Sequence, residues 1–410
     1  MMTTFTRVQL SAMMFLQFFV WGAWYVTMGT YLSQTLKATG VQIGAAYSAN
    51  AMATIISPFI VGMIADRYFA AQKFMGVLHV VGAALLYYAT TITDPNTFFW
   101  IILAYAAMYM PTLALSNAVA FNLMSEPDKE FPRIRVFGTL GWIVVGLFIG
   151  ALHFEGIDNL AASTMPFKIA AVASLLLGLY AFTLPNTPPK AANRGGATLG
   201  QILGLDALVL FKDRSYLVFF IASILVCIPL SFYYSFTNTF LTQVGMENAT
   251  GKMTMGQMSE VLFMVLLPLF YKRLGIKNIL IVAMLAWVVR FLCFGFGNVD
   301  ALIGLFYLGI VLHGICFDLF FVSGMIYTET KAGPTIKSAA QGLITFATYG
   351  VGMFIGTYLS GLVKDNYTVG DVVAWQSFWL VPAGITVAVL AFLILFFREK
   401  ENASSEITPQ

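Results

Sequence analysis

Long apolar segments alternate with short polar ones along nearly the whole chain of 410 residues. A bilayer core about 30 Å thick is crossed by about 20 apolar residues in a helix. The pattern therefore predicts twelve membrane-spanning helices, which we call spans 1 to 12. They cover residues 8–31, 41–65, 73–93, 97–121, 133–153, 164–184, 215–241, 254–273, 276–297, 301–327, 338–361 and 372–397.

One polar connection is long, and it lies between spans 6 and 7 at residues 185–214. We therefore expect an all-α polytopic membrane protein built as two pseudo-symmetric bundles of six helices. Apolar residues around Leu203–Leu210 predict a short interfacial helix within the long connection. The predicted units are an N-terminal bundle (1–184), a linker (185–214), a C-terminal bundle (215–397) and a tail (398–410).

The composition indicates the same class of protein. Hydrophobic residues make up 59% of the chain, charged residues only 10%, and the mean hydropathy is +0.82. Soluble domains are about 25% charged, so the lipid bilayer must cover most of this surface. The net charge of +3 indicates no nucleic-acid partner, because the charges lie in short segments between apolar runs. The cysteines lie inside those runs without metal-ligand spacing, so we expect neither a metal site nor a disulfide framework.

Basic residues are distributed unequally between the two sides of the predicted membrane. Of the 22 Lys and Arg residues, 17 fall on the side of both termini. Only Lys37, Lys168, Lys252 and Lys364 fall on the opposite side, and Arg290 lies inside a span. Since basic residues accumulate in cytoplasmic loops, we expect the linker, the tail and both termini to be cytoplasmic.

The loop between spans 2 and 3 contains the segment GMIADRYFAAQK at residues 62–73. Within a layout of six helices, a basic linker and six more helices, it resembles the G-x-x-x-D-R loop of the major facilitator superfamily. The resemblance implies the major facilitator fold and a cytoplasmic gating loop. In that loop Gly62 would allow close helix approach, while Asp66 and Arg67 would pair across the two halves. The alternative is that these are ordinary charges at a helix end.

Polar and ionisable residues occur at helical spacing inside spans 5, 8 and 10. A charged side chain costs at least about 2.5 kcal/mol at the bilayer centre, so such residues usually face a cavity and indicate a functional site. Positions three, four or seven apart share one face of a helix. The residues concerned are Arg135, Thr139 and Trp142 in span 5, Gln257 and Glu260 in span 8, and His313, Phe317 and Asp318 in span 10.

Structural roles are the alternative for each of these residues. Arg135 would then anchor span 5 at the cytoplasmic headgroups. Glu260 and Asp318 would be static partners of Arg135 and Arg290. His313 would be a buried histidine bonded to a backbone carbonyl, and the aromatic residues would serve packing alone. The functional interpretation rests on the convergence of three spans on one cavity.

Several segments along the chain match the pattern of one transporter family. They are FLQFFVWGAWYVTMGTYL in span 1, YMPTLALSN (109–117), FPRIRVFGTLG (131–141), QMSEVLF, GIKN, AWVVRF (286–291), FDLFFVSG and SAAQG. On these segments, which recur helix by helix, the chain resembles the nucleoside–proton symporter family of the major facilitator superfamily, and in particular its bacterial nucleoside permeases. The resemblance implies a multi-pass protein of a bacterial inner membrane that imports nucleosides with protons by alternating access.

The resemblance also implies roles for individual residues. It ties the acid of span 10, Asp318, to proton coupling. Desolvation of a buried carboxyl leads to the further hypothesis that Asp318 is the principal proton carrier, that Glu260 binds substrate hydroxyls and shares the proton, and that His313 is a neighbour that tunes Asp318. No cofactor is expected beyond the proton gradient, and the family pattern implies a monomer that is not an enzyme. Substrate contacts are expected from Arg135, Thr139, Gln257, Glu260, Phe317 and Asp318, with Trp142 in place of a phenylalanine.

Three positions depart from the permease pattern and leave the substrate open. His313 replaces a tyrosine, and in CIPLSFYYSFTNTFL (227–241) Ser231 and Tyr234 replace a glutamine and an asparagine. All three positions are expected to contact the substrate. Because amides are natural partners for nucleobase edges and ribose hydroxyls, their loss keeps a second candidate open, a proton-coupled importer of a sugar or glycoside. An exporter and a membrane-embedded enzyme are further alternatives, although no nucleophile or metal-binding motif accompanies the acids.

Overall fold

The fold is given by a computed structural model, which describes residues 2–60, 69–124, 126–152, 159–188 and 205–399. In chain order the α-helices are α1 (Thr4–Tyr25), α2 (Met28–Gln34), α3 (Gly40–Ile60), α4 (Ala71–Ala89), α5 (Pro95–Leu123), α6 (Pro127–Ala151), α7 (Met165–Ala181), α8 (Arg214–Gln243), α9 (Ala249–Phe296), α10 (Ile303–Val311), α11 (His313–Phe317), α12 (Ser323–Thr345), α13 (Met353–Asn366) and α14 (Trp375–Phe396). Short 3₁₀-helices cover Leu160–Ala162 and Leu205–Lys212, and π-helices cover Asp318–Val322 and Phe346–Gly352. A two-residue antiparallel pair, β1 (Thr368–Val369) and β2 (Val372–Val373), connects α13 to α14.

The all-α membrane architecture predicted from the sequence is confirmed. Each of the twelve predicted spans falls on helical residues within the described ranges. Eight helical stretches among the described residues, some of them made of two or more of these helices, are long and apolar enough to cross a membrane. Helix α9 has 48 residues and joins spans 8 and 9 across Gly275, whose φ of 67° is left-handed backbone that glycine adopts without strain. The predicted interfacial helix corresponds to the 3₁₀-helix at Leu205–Lys212.

Other predictions about topology stay predictions. Gly62, Asp66 and Arg67 lie outside the described residues. The cytoplasmic location of the termini rests on the charge distribution alone, and so do the boundaries of the predicted units. Helices α1 to α7 pack mainly on one another, as do helices α8 to α14, and we call these two groups the first and second halves.

In the described chain the two halves meet mainly through α3 with α13, α6 with α9, and α2 with α8, and α3 also contacts α8 and the π-helix Phe346–Gly352. Glycines bring these backbones together. A Cβ on Gly44 would lie 2.2 Å from the carbonyl oxygen of Thr357, and one on Gly361 would lie 2.3 Å from that of Gly40. Small residues allow such close approach between membrane helices, so the halves are in direct backbone contact here.

Polar contacts reinforce the same junction. The Thr30 hydroxyl donates to Asn238 Oδ1 at 2.7 Å, and both side chains are buried. Across the α3–α13 pair, the carboxylate of Asp365 accepts hydrogen bonds from the backbone N–H groups of Gly40 and Val41. These N–H groups begin α3 and have no partner within the helix, so the carboxylate satisfies them. Because α1 runs from the N-terminus towards this junction, the halves are joined at the end opposite to the termini.

Joining the halves covalently at this junction should stop the transport expected from the sequence. The hydroxyl oxygens of Thr30 and Thr239 lie 3.3 Å apart, which suits cysteines that form a disulfide. In a Thr30→Cys, Thr239→Cys double variant, oxidation should therefore create a cross-link and abolish uptake, and reduction should restore it. Each single cysteine variant is the control. Complete cross-linking with undiminished uptake would contradict the view that this junction must open.

Candidate functional site

A cavity of about 360 Å³ lies between the two halves, within the range of about 300 to 1,000 Å³ typical of small-molecule sites. We call it the central cavity. It lies on the terminal side of the junction, since Arg135 is in the part of α6 that precedes the contacts at Gly146 and Gly150. Its aromatic wall consists of Phe18, Trp21, Tyr25, Tyr47, Trp142, Tyr234, Phe317 and Tyr349. Its polar residues are Asn50, Thr54, Asn117, Arg135, Thr139, Gln257, Glu260 and Thr345.

The aromatic residues contact one another and support flat surfaces. Trp21 on α1 meets Trp142 on α6 with ring centroids 5.5 Å apart, and it meets Tyr25 at 5.7 Å. Tyr25 also meets Tyr234 across the two halves at 5.7 Å. Edge-to-face packing of this kind holds each ring in place. The cavity therefore offers rigid aromatic faces to a flat ligand.

Most of the residues predicted from the sequence meet at this cavity. The spacing argument for span 5 holds, because Arg135, Thr139 and Trp142 all face it. The guanidinium carbon of Arg135 lies 4.1 Å from the centre of the Phe18 ring, a favourable cation–π contact. Arg135 thus faces the interior between the halves rather than the headgroups. The other predicted residues that line the cavity are Tyr234, Gln257, Glu260 and Phe317.

Ser231 is placed elsewhere, contrary to its expected role in substrate contact. Its side chain is fully buried, and its hydroxyl donates to the carbonyl of Cys227 one turn earlier at 2.8 Å. Gly356 of α13 packs directly on it, since a Cβ there would lie 2.4 Å from the Ser231 oxygen. The serine therefore belongs to the contact between α8 and α13. A serine that bonds back to its own helix has no free donor for a ligand.

A second close backbone contact, between α11 and α9, brings His313 next to Glu260. A Cβ on Gly314 would lie 2.5 Å from the backbone carbonyl of Ser259, and the Gly314 N–H donates to the Ser259 hydroxyl at 2.9 Å. Helix α11 therefore lies directly against α9. His313 and Glu260 are the chain neighbours of these two residues, so the same contact brings their side chains together.

His313 lies between an acid and a guanidinium. Its Nε2 is 2.7 Å from Glu260 Oε1, although the alignment falls short of a straight hydrogen bond. Its Nδ1 is 2.8 Å from Arg290 Nη1. The sequence suggested His313 as a neighbour and modifier of Asp318, or as a histidine bonded to a backbone carbonyl. The structure instead places it against Glu260 and Arg290, and it is fully buried rather than exposed in the cavity.

Asp318 is also fully buried and begins the π-helix Asp318–Val322. Neither of its carboxyl oxygens has a hydrogen-bond partner among the described residues. π-helical turns occur often at functional sites, and a buried carboxyl without a partner is costly as an anion. Asp318 is therefore part of the wall behind the cavity rather than of its surface.

The sequence argument missed Asn50 on α3. Its side chain is only 6% exposed, yet it lines the central cavity. Neither its amide nitrogen nor its amide oxygen has a partner among the described residues. The sequence does contain a signal for it, because in the segment SANAMATII Thr54 follows Asn50 by four residues, lies on the same helix face and also lines the cavity.

Comparison with known proteins places the chain in a family. The sequence model of the Nucleoside H+ symporter family matches residues 2–402. The putative nucleoside transporter YegT of Escherichia coli K12 is 42% identical over 98% of this chain and 96% of its own length. The xanthosine permease of the same organism is 37% identical over 97% of each chain. The crystal structure of the nucleoside transporter NupG superposes with a TM-score of 0.86 at 33% identity, covering 96% of this chain and 100% of that one. The chain therefore belongs to the nucleoside H+ symporter family.

Proposed function

We propose that this protein imports nucleosides together with protons across a bacterial inner membrane. Its family membership and its bacterial relatives, which are named as nucleoside transporters, support this function. The observation that carries it is the central cavity, in which aromatic walls from both halves meet Glu260, with Asp318 buried close behind. Alternating access follows if the halves part at the junction and close on the terminal side, as in other two-bundle carriers.

Substrate recognition would combine stacking with hydrogen bonds. A nucleobase fits between Trp142 and the facing rings of the second half, and base–aromatic stacking is worth about 1–3 kcal/mol per base. Gln257 and Glu260 lie on one face of α9 and suit the ribose hydroxyls. Asn50 has a free donor and a free acceptor, the pair that a base edge requires. It would supply an amide like those of the permease pattern that Ser231 and Tyr234 replace in span 7.

Proton coupling would depend on the two carboxyls. Asp318 is fully buried and has no hydrogen-bond partner among the described residues, so the neutral acid costs far less than the anion. We propose that Asp318 carries the transported proton in this conformation and releases it when the halves rearrange and water reaches it. Glu260 would bind the substrate and sense its presence.

The remaining features support a simple carrier. One chain contains the whole central cavity between its own halves, so we propose a monomer that needs no cofactor beyond the proton gradient. Asp66 and Arg67 would close the cytoplasmic side. The protein would not be an enzyme, since its relatives are named as transporters and permeases. A sugar or glycoside importer is the second candidate, and it would make less use of the aromatic wall.

Replacing Asp318 with asparagine should uncouple transport from protons. Asparagine keeps the shape of the side chain but cannot carry a proton, so proteoliposomes should lose uridine accumulation driven by a pH gradient and keep uridine counterflow. Asp300→Asn, at an exposed loop position, is the matched control and should behave as the unmodified protein. Undiminished accumulation by Asp318→Asn would remove this residue from the coupling mechanism.

Removing the Trp142 ring should weaken nucleoside binding. The loss of about 1–3 kcal/mol of stacking corresponds to a rise in KM of about 5- to 150-fold for Trp142→Ala, with the pH dependence retained. Trp100→Ala is the control, because Trp100 is 64% exposed on the outer surface. Equal KM values for the two variants would show that the base does not stack on Trp142.

A further inference from the structure

Arg290 is a fully buried charged residue to which the proposed mechanism gives no role. It lies in α9 and does not line the central cavity. Its guanidinium carbon is 3.5 Å from the centre of the Tyr233 ring, and its Nη1 lies 2.8 Å from His313 Nδ1. A wholly buried guanidinium is costly unless its charge is used. Because Arg290 lies directly behind His313, its charge acts on the imidazole.

The contact with Arg290 fixes the tautomer of His313. A guanidinium has only donors, so the nitrogen that faces it must accept a hydrogen bond. Nδ1 of His313 therefore carries no proton while the 2.8 Å contact exists. A neutral imidazole then has its proton on Nε2, which is the nitrogen 2.7 Å from Glu260 Oε1.

A second proton on His313 is opposed by its surroundings. It would have to sit on Nδ1, against the N–H groups of Arg290 and beside a permanent positive charge. Helix α8 contributes Tyr233 and Tyr234, which contact the imidazole as aromatic rings. On its own segment Phe317 contacts the ring, and Asp318 lies about one turn further on. Glu260 is therefore the carboxyl in direct contact with the imidazole, and it faces the nitrogen that is already protonated.

We propose that Arg290 and His313 form a fixed relay that positions Glu260 at the cavity, and that His313 does not carry the transported proton. The inference rests on the proposed function and assigns separate roles to Arg290, His313 and Glu260. Arg290 supplies a positive charge behind the imidazole, and neutral His313 presents its Nε2–H to Glu260 Oε1 at 2.7 Å. This close contact holds Glu260 where it lines the cavity. Both Arg290 and His313 are thus positioning residues. Movement of the proton is left to the carboxyls.

The variant His313→Gln tests whether residue 313 acts as an N–H donor or carries the transported proton. The glutamine carbonyl can accept from Arg290 and its N–H can donate to Glu260, but glutamine does not titrate. Uridine accumulation should therefore still depend on the pH gradient, and any change should fall on KM rather than on coupling. Loss of accumulation with counterflow retained would mean that His313 carries the proton, and it would overturn the proposal.

His313→Leu is the paired variant that tests positioning. It removes the N–H that faces Glu260 at 2.7 Å, so the carboxyl loses its positioning contact and KM should rise several-fold. Arg290→Gln should raise KM in the same direction, because the charge behind the histidine is lost. Unchanged KM in both variants would show that the relay does not hold Glu260.

A spectroscopic measurement tests the relay without any transport assay. The chain has three histidines, so ¹⁵N NMR of histidine-labelled protein gives few signals, and His313→Gln assigns one of them by its disappearance. If that variant does not fold, His79→Gln and His153→Gln assign it by elimination. The His313 signals should show the Nε2–H tautomer unchanged from about pH 5.5 to 8.5, a range in which a free histidine titrates. Titration in this range would contradict the relay, whereas a fixed tautomer in a protein that transports no nucleoside would contradict only the proposed function.

Discussion

The backbone contact between Gly314 and Ser259 determines the chemistry of the second half. It holds α11 against α9 so closely that no side chain fits at Gly314, and His313 is thereby held between Glu260 and Arg290. Charged groups in the membrane interior are tolerated where they pair or face a cavity. Here Arg290 and Glu260 contact opposite nitrogens of the His313 imidazole, and Glu260 still lines the cavity.

The two halves contribute different kinds of side chain to the cavity and the wall behind it. The first half supplies Arg135, Thr139, Asn50 and much of the aromatic wall, whereas the second supplies the carboxyls. The halves touch through glycine contacts at the end opposite to the termini. Rigid halves that meet at such a junction can rock without rearranging either wall. In the proposed mechanism substrate binding and proton binding are then linked, because the substrate would contact both walls while the acids belong to one.

The sequence was sufficient for the fold and for part of the site. Apolar segment length predicts the spans, and helical spacing alone predicts the shared face of Arg135, Thr139 and Trp142. Spacing could not predict that Ser231 bonds back to its own helix, since that depends on Gly356 of another helix. It could not pair His313 with Glu260 either, because their contact depends on helix approach at Gly314. Asn50 was missed although Thr54 shares its helix face, because neither residue carries a charge that marks the face as functional.

The coupling of nucleoside and proton movement is the central claim, and internal pH measures it directly. Purified protein would be placed in liposomes that contain a pH indicator, without an imposed gradient. Uridine or adenosine added outside should acidify the interior, while maltose or another simple sugar should not. No change in internal pH with any nucleoside, together with acidification by a sugar, would contradict coupled nucleoside import. It would mean that Tyr234, His313 and their neighbours bind a different substrate.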